Sequence, residues 1–147
     1  MTHHDNHSQL KCFIQEGLGC GCPEEVFDSI EISAEACAEL PECAIVRVLV
    51  GRRLLIHFLF INSTVNLSKE VIIQLGHAGC VRRDENGYNR FRLVLAVDDP
   101  KTIPASITID GFDRLKADDR THLHICQKNE IPAILLDYQK STDDTDI

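Results

Sequence analysis

The feature that most constrains the fold is the segment 54–61, in which every residue except His57 is apolar. The segment 44–50 before it is also dominated by Val, Ile and Leu, and Gly51 with two arginines separates the two. This pattern predicts a β-hairpin that turns at 51–53. Because the second strand is apolar on both faces, we expect it to be central in a sheet and covered on both sides, by another layer or by a partner subunit. We interpret His57 as a core histidine whose hydrogen bonds are satisfied.

Other segments around this hairpin carry helix and strand patterns. Segment 11–15 predicts a first strand, and Pro23 suits the first position of a helix because the N–H that it lacks is not needed there. A second short helix is predicted over 34–40. Helical spacing of apolar residues after Ser68 predicts a longer helix that ends near Gly79. In the second half of the chain, strands are predicted at 91–97 and 121–127, with weaker strand and helix signals over 106–117.

The order strand, helix, two strands, helix, strand is that of split βαβ units. It predicts an α+β fold of the ferredoxin-like type, a βαββαβ plait with a mostly antiparallel sheet and both helices on one face. A C-terminal extension that contains β structure follows the plait. The predicted domain organisation is a disordered His-rich leader at 1–10, one domain at 11–140 with its plait core at 11–98 and its extension at 99–140, and an acidic tail at 141–147.

The most reactive chemistry is expected in a glycine-rich loop that carries two thiols, Gly19-Cys20-Gly21-Cys22. With a helix predicted to begin at Pro23, both cysteines precede a helix N-terminus, a position that favours the metal-binding thiolate. Cys-x-Cys spacing can place two sulfurs on one soft metal ion, and Cys12 on the predicted first strand is a candidate third ligand. We expect zinc or an iron–sulfur centre at this loop.

Other interpretations of the loop and of the chain stay open. Cys20 and Cys22 could act in thiol redox chemistry, with Cys22 as the nucleophile and Cys20 as the resolving thiol. Both could instead be small packing residues, since cysteine is among the most buried residue types. A third interpretation is a non-catalytic interaction domain that forms a homodimer, which would cover one apolar face of 54–61.

A second candidate site lies in the alternating segment 121–127. In a strand, His122, His124 and Cys126 share one face while the residues between them point to the core. Two imidazoles and a thiolate in a row are candidate metal ligands, and they would complete the site of the thiol loop if the fold brings the two together. The alternative is an ordinary strand with a polar outer face.

Charge is unevenly distributed along the chain, whose formal net charge is −8. Segment 44–92 is basic, with eight Lys and Arg residues against three acidic ones, whereas the segments before and after it are acidic. The basic segment is predicted to bind an acidic protein or an anion, unless it is a solvated face that pairs with the chain's own acids. Its candidate binding residues are Arg82, Arg83, Arg90 and Arg92. An acidic whole disfavours general nucleic-acid binding.

The seven cysteines are an odd number, which argues against a complete disulfide framework. The N-terminal residues lack the apolar core of a signal peptide, and no apolar run is long enough to span a bilayer. We therefore expect a cytoplasmic location, thiols that are free or metal-bound, and no membrane partner.

Overall fold

A computed structural model describes residues 3–17, 27–38, 40, 43–61, 68–103 and 121–144 of the chain. These residues form an α+β fold with three α-helices and a five-stranded mixed sheet. The helices are α1 (His3–Cys12), α2 (Lys69–Asn86) and α3 (Ala133–Asp144), and a π-helical turn, Phe13–Gly17, continues α1. The strands are β1 (Ile30–Ala36), β2 (Ala44–Val50), β3 (Leu54–Phe60), β4 (Arg90–Val97) and β5 (Thr121–Gln127).

The strands lie in the sheet in their order along the chain, β1-β2-β3-β4-β5. The first three are antiparallel neighbours, whereas β4 runs parallel to β3 and β5 runs parallel to β4. Parallel neighbours need a crossover connection, and α2 supplies the one between β3 and β4. The sheet therefore changes from an antiparallel meander to a parallel arrangement at its central strand.

The predicted β2–β3 hairpin is confirmed, and its turn has an uncommon backbone. The amide of Arg53 donates to the carbonyl of Val50 (3.0 Å), which closes the turn. Both central residues have positive φ angles, 58° at Gly51 and 55° at Arg52. Turns of this mirror-image type match the twist of the flanking strands, and glycine, asparagine and aspartate are the residues that accept them readily. Arginine at the second central position is therefore a strained choice.

Each face of the sheet carries its own hydrophobic core. On one face, α1, the π-helical turn and α3 cover the side chains of alternate positions in β2 and β3, and this is called the α1/α3 face below. On the opposite face, called the α2 face, α2 packs over β3 and β4. All seven residues of β3 are buried. The prediction of a central strand with both faces covered is confirmed, and helices of the same chain lie over both.

Helix α2 begins as predicted and ends later than predicted. Its N-cap is Ser68, whose hydroxyl accepts a hydrogen bond from the amide of Val71 (3.3 Å). The helix continues past Gly79 to its C-cap, Gly87, which has a φ of 74°. The predicted end near Gly79 is wrong because this glycine serves close packing. A Cβ atom placed on Gly79 would lie 2.0 Å from Cζ of Phe91 in β4.

The first third of the chain differs most from the prediction. Segment 11–15, predicted as a strand, lies in α1 and the π-helical turn. The predicted helix over 34–40 is wrong at its start, because residues 34–36 pair with β2 as the end of β1. Pro23, where the first helix was predicted to begin, and the segment 106–117 lie outside the described residues.

The finer prediction of a ferredoxin-like plait is not confirmed. That plan requires a strand at 11–15, a mostly antiparallel sheet and helices on one face. The described sheet instead has two parallel pairs, and helices pack on both of its faces. The leader and tail also contribute structure, since α1 begins at His3 and α3 extends to Asp144. Among the described helices, none has the length and apolar character needed to cross a membrane.

Replacing Gly79 with alanine tests the contact between α2 and the sheet. Alanine is the better helix former by about 1 kcal/mol, so a glycine without a packing role would give a stabilised variant. Here the new methyl group meets the Phe91 ring, and we expect the free energy of unfolding to fall by about 1–3 kcal/mol in urea denaturation. In a Phe91→Leu background the same substitution should cost much less. A stabilised Gly79→Ala protein would contradict the close packing.

Candidate functional site

The two cysteines of the predicted thiol loop, Cys20 and Cys22, lie outside the described residues. What the structure describes next to them is a buried Phe27 in a 3-10 turn, followed by β1 from Ile30. The helix predicted to begin at Pro23 therefore does not continue through Ile30, which starts a strand. The metal chemistry of the loop stays a prediction.

Cys12, the predicted third ligand, lies at the end of α1. Its thiol is exposed and donates a hydrogen bond to Oε2 of Glu16 (2.6 Å). This hydrogen bond, with some desolvation and the charge of Glu16, raises the pKa of the Cys12 thiol. Cys12 lines an open, largely apolar groove of about 500 Å³ between α1 and the start of α3, with Ser8, Gln9, Phe13, Glu130 and Pro132. The environment of Cys12 favours a thiol over the thiolate that a metal needs.

The second predicted set, His122, His124 and Cys126, lies on β5 as expected. All three share the α1/α3 face, because Cys126 packs against the core on that side and alternate residues of a strand point the same way. Each is half-buried rather than outward-facing. Burial, with the charge of Glu130, raises the pKa of the Cys126 thiol. The shared face is confirmed, and its environment again favours a neutral thiol.

Arg92 in β4 is a hydrogen-bond partner of His124, a contact that the sequence did not reveal. Its side chain is only 5% exposed, and its Nη1 lies 2.7 Å from Nε2 of His124. A guanidinium has N–H donors and no acceptor, so Nε2 of His124 must accept this hydrogen bond with its lone pair. The proton of the neutral ring is then on Nδ1. His124 therefore has no second lone pair to offer a metal ion, and its remaining capacity is that of a donor.

The described groups whose charges shift the pKa values of Arg92 and His124 are basic. The parallel register places Arg92 beside His122, and Arg90 precedes Arg92 on the same face. Burial and then the charge of Arg90 lower the pKa of Arg92. Burial, Arg92 and His122 lower the pKa of His124 to about 4. We call these four residues, Arg90, Arg92, His122 and His124, the Arg–His cluster. Arg92 and His122 also take part in further interactions.

The described residues contain no group of three or more His, Cys, Asp and Glu side chains placed to hold a metal ion. This agrees with the chemistry of His124, whose lone pair is used by Arg92. The predicted zinc or iron–sulfur site at Cys20 and Cys22 lies outside this search and stays a prediction.

A second imidazole–guanidinium pair lies on the α2 face. His57 is 4% exposed, and Nε of Arg47 donates to its Nε2 (3.2 Å). Arg47 also pairs with the carboxylate of Glu35 on β1, so a polar row crosses β1, β2 and β3. The ring of His57 meets Phe91 edge-on, with 5.0 Å between the centroids. Its interpretation as a satisfied core histidine is confirmed.

The arginines predicted to bind an anion gather at one end of the sheet. The carbonyl of Arg53 accepts from the amides of Asn89 (2.8 Å) and Arg90 (3.0 Å), which ties the β2–β3 turn to the start of β4. We call this region the basic end, and its arginines are Arg52, Arg53, Arg82, Arg83, Arg90 and Arg92. Four of them are exposed, namely Arg52, Arg53, Arg82 and Arg90.

The other two arginines of the basic end are buried and have structural contacts. Arg83 on α2 is 2% exposed, pairs with Asp84 (3.0 Å) and donates to the hydroxyl of Thr121 (2.9 Å). The same hydroxyl lies 3.2 Å from the sulfur of Cys80. These contacts join the last turns of α2 to the start of β5. Among the predicted anion-binding arginines, Arg83 is therefore a structural residue.

Comparison with protein-family models, with curated proteins and with solved structures found no match to this chain. The residues themselves are therefore the basis for the functional proposals below.

The buried imidazole of His57 and the half-buried imidazole of His124 predict a loss of stability in acid. Burial, with the charges of Arg47 and Arg82, lowers the pKa of His57 to about 3, against 6.5 when unperturbed. Above pH 6.5 each of these histidines is neutral in both the folded and the unfolded protein. Below pH 6.5 it is protonated in the unfolded protein only, until the pH falls to the pKa of the histidine in the folded protein. We expect the free energy of unfolding to fall between pH 6.5 and about 4, by up to about 1.4 kcal/mol per pH unit for each histidine.

Urea denaturation at several pH values measures this slope. His124→Gln should reduce it, because Gln keeps an acceptor for Arg92 without titrating. The matched control is His77→Gln, which changes an exposed histidine on α2. Equal slopes for the wild-type and His124→Gln proteins would contradict a neutral, half-buried His124.

Proposed function

We propose that this chain is a binding domain that docks an acidic protein segment on its basic end. The exposed arginines Arg52, Arg53, Arg82 and Arg90 would supply the long-range attraction. An acidic partner gains from such a surface mainly in association rate and specificity. The proposal follows the predicted anion-binding role of the basic segment. In the set of binding residues, Arg52 and Arg53 of the β2–β3 turn take the place of Arg83.

The observation that carries the proposal is the backbone of Arg52. A residue other than glycine held at a φ of 55° costs on the order of 1–3 kcal/mol, and such strain collects at functional sites. Among the described residues, the contact that could offset this strain is a distant ion pair between Arg52 and Glu31 (3.7 Å), and the side chain of Arg52 is 79% exposed. An exposed pair of this kind contributes little to stability. The strained arginine is therefore better explained by an external partner.

The basic end is also rigid where it presents its charges. The carbonyl of Arg53 fixes the start of β4, and Gly87 caps α2 directly before it. The exposed arginines therefore project from a turn, a strand and a helix that are joined by main-chain hydrogen bonds. A charged surface fixed in this way loses little conformational entropy when a partner binds.

An acidic protein segment fits the charge of the whole molecule better than a nucleic acid does. The chain has a net charge of −8, so a polyanion as long as a nucleic acid would meet repulsion beyond the basic end. A short acidic segment can contact the basic end alone. The acidic segments of a second copy of this chain are one such partner, and sedimentation of the pure protein tests that homodimer directly.

Arg52→Asn separates binding from stability. Asparagine accepts a positive φ more readily than arginine, so the free energy of unfolding should stay equal or rise by up to about 1 kcal/mol. Removal of the charge should weaken binding of a fluorescent Glu-rich peptide about two- to five-fold at low salt, measured by anisotropy. Arg90→Gln should weaken binding to a similar extent.

The control is Lys101→Gln, which removes an exposed cation after the opposite end of β4. This variant should bind the peptide as the wild type does. If Arg52→Asn and Arg90→Gln lose no more affinity than Lys101→Gln, the basic end is not the binding surface.

The thiol loop supports a second candidate function, binding of zinc or an iron–sulfur centre. The spacing of Cys20 and Cys22 between glycines favours it, since two thiolates can reach one soft metal ion from such a loop. The thiol redox alternative uses the same two sulfurs, as a reversible pair.

Metal analysis of untagged protein, purified without oxygen from metal-supplemented cells, tests the second candidate. We expect zinc or iron in stoichiometric amount, and its loss in the Cys20→Ser/Cys22→Ser protein. The matched control is Cys12→Ser, whose thiol is hydrogen-bonded to Glu16 and should not contribute a ligand. Metal-free wild-type protein from these conditions would exclude the metal site and leave the redox role to be tested by thiol titration.

A further inference from the structure

Two cysteines lie opposite each other across β1 and β2, one position beyond the last residue pair of the two strands. That last pair is Ala36 with Ala44, so the next step of the register sets Cys37 against Cys43. The amide of Cys37 donates to the carbonyl of Cys43 (3.2 Å), which shows that the two segments are still paired at this step. Both residues carry thiols in the structure. The two thiols therefore belong to opposed residues of neighbouring antiparallel segments.

The two side chains point to the same face of the sheet. Ala34 in β1 and Val46 in β2 pack in the core of the α1/α3 face. Cys37 lies three positions after Ala34, and Cys43 lies three positions before Val46, so alternation places both cysteines on the α2 face. Both pack in the core of that face, at 1% and 5% exposure. Register and side-chain direction therefore bring the same two thiols together.

The backbone holds the two cysteines at a separation that a disulfide can bridge. Opposed residues that share main-chain hydrogen bonds have Cα atoms about 5.5 Å apart. Disulfides join residues whose Cα atoms are about 4.4–6.8 Å apart. Cys43 is also held from its other side, because its amide donates to the carbonyl of Leu40 (2.9 Å). Formation of the bond therefore needs a rotation of the side chains and a small approach of the strands.

We propose that Cys37 and Cys43 are a redox-active dithiol that closes to a reversible cross-strand disulfide by exchange with a low-molecular-weight disulfide. The thiolate of one cysteine attacks a sulfur of the small disulfide, which forms a mixed disulfide and releases one small thiol. The other cysteine then attacks the protein sulfur of the mixed disulfide, and the second small thiol leaves. The protein loses two electrons and two protons, and the small disulfide is reduced to two thiols. This site is distinct from Cys20 and Cys22 and does not rest on the proposed function.

The position of the pair explains how buried thiols can react. Strand β1 is an edge strand of the described sheet, and the pair lies at the end of its ladder with β2. Main-chain hydrogen bonds at such an end open at a much lower free energy than those of a central strand. Transient opening there admits the small disulfide, while the closed core shields both thiols for the rest of the time.

The same geometry makes the bond easy to reduce. Opposed residues have Cβ atoms about 4.5–5.5 Å apart, and hydrogen-bonded pairs lie at the upper end of this range. A disulfide needs Cβ atoms about 3.5–4.5 Å apart. Closure therefore draws the two strands together and stores strain, and strained disulfides are the ones that reductants open readily. A dithiol at this place acts as a reversible pair rather than as a permanent cross-link.

Mass mapping of the wild-type protein tests the bond directly. The folded protein is equilibrated in mixtures of oxidised and reduced glutathione, its remaining thiols are blocked with N-ethylmaleimide, and the chain is cut after glutamate and arginine residues. These cuts place the two cysteines in separate fragments, 36–39 and 43–47. We expect a disulfide to join these two fragments in oxidising mixtures, and we expect the bond to be lost when an excess of reduced glutathione is added.

Amide hydrogen exchange measures what the bond does to β1. The amides of residues 30–37 should exchange several-fold more slowly in the oxidised than in the reduced protein, because β1 can no longer separate from β2 at this end. Cys43→Ala should abolish the difference between the two redox states. The matched control is Cys80→Ala, which removes a half-buried thiol that packs on the same face and should keep the difference.

Several results would overturn the proposal. One is that both cysteines stay thiols in every glutathione mixture. Another is that either of them ends as a stable mixed disulfide with glutathione or is joined to a different cysteine. A bond that forms only after urea has unfolded the protein, or that resists reduced glutathione, would also exclude a redox-active pair in the folded chain. Equal exchange of the β1 amides in both redox states would show that the bond does not fasten this strand. If Cys43→Ala does not fold, the mapping of the wild-type protein decides alone.

Discussion

The burial of β3 on both faces is the constraint on which the rest of the structure depends. All seven of its residues are inaccessible, so one layer of helix cannot complete the core. Both faces of β3 are covered, by α1 and α3 on one side of the sheet and by α2 on the other. The parallel pairing of β3 with β4 follows from the same requirement, because the crossover helix is the element that covers the second face. Gly79 brings that helix close enough for the Phe91 ring to contact its backbone.

Two imidazole–guanidinium pairs interrupt this apolar sheet, one on each face. In both, the neutral histidine accepts a hydrogen bond from arginine, Arg47 to His57 and Arg92 to His124. A neutral ring costs less to bury than a charged one, and its lone pair satisfies a donor of the arginine. The pairs differ in what lies beyond them. The guanidinium of Arg47 meets the carboxylate of Glu35, whereas the guanidinium of Arg92 lies close enough to Arg90 for that charge to lower its pKa.

The elements that could be predicted from sequence are those whose pattern extends over many residues. The β2–β3 hairpin, β4, β5 and the start of α2 have long apolar or alternating runs, so period and turn residues identify them. Segment 11–15 is too short for a period to be distinguished, and the burial of Leu10 with Ile14 shows the helical spacing that decides it. In β1, pairing with β2 overrides the helix propensity of alanine and glutamate. The shared face of His122 and His124 follows from alternation, but their contact with Arg92 depends on a parallel register that no local pattern contains.

The strands lie in the sheet in chain order, while α3 packs over β1 and β2. The strands that are synthesised first therefore lack part of their cover until α3 has been synthesised. The antiparallel meander has only local contacts and can form early, yet the face that α1 covers in part is not completed until residues 133–144 have been synthesised. During that interval the nascent chain exposes a hydrophobic surface that holdase chaperones recognise. Premature termination before residue 133 would make this exposure permanent and turn a folding delay into an aggregation hazard.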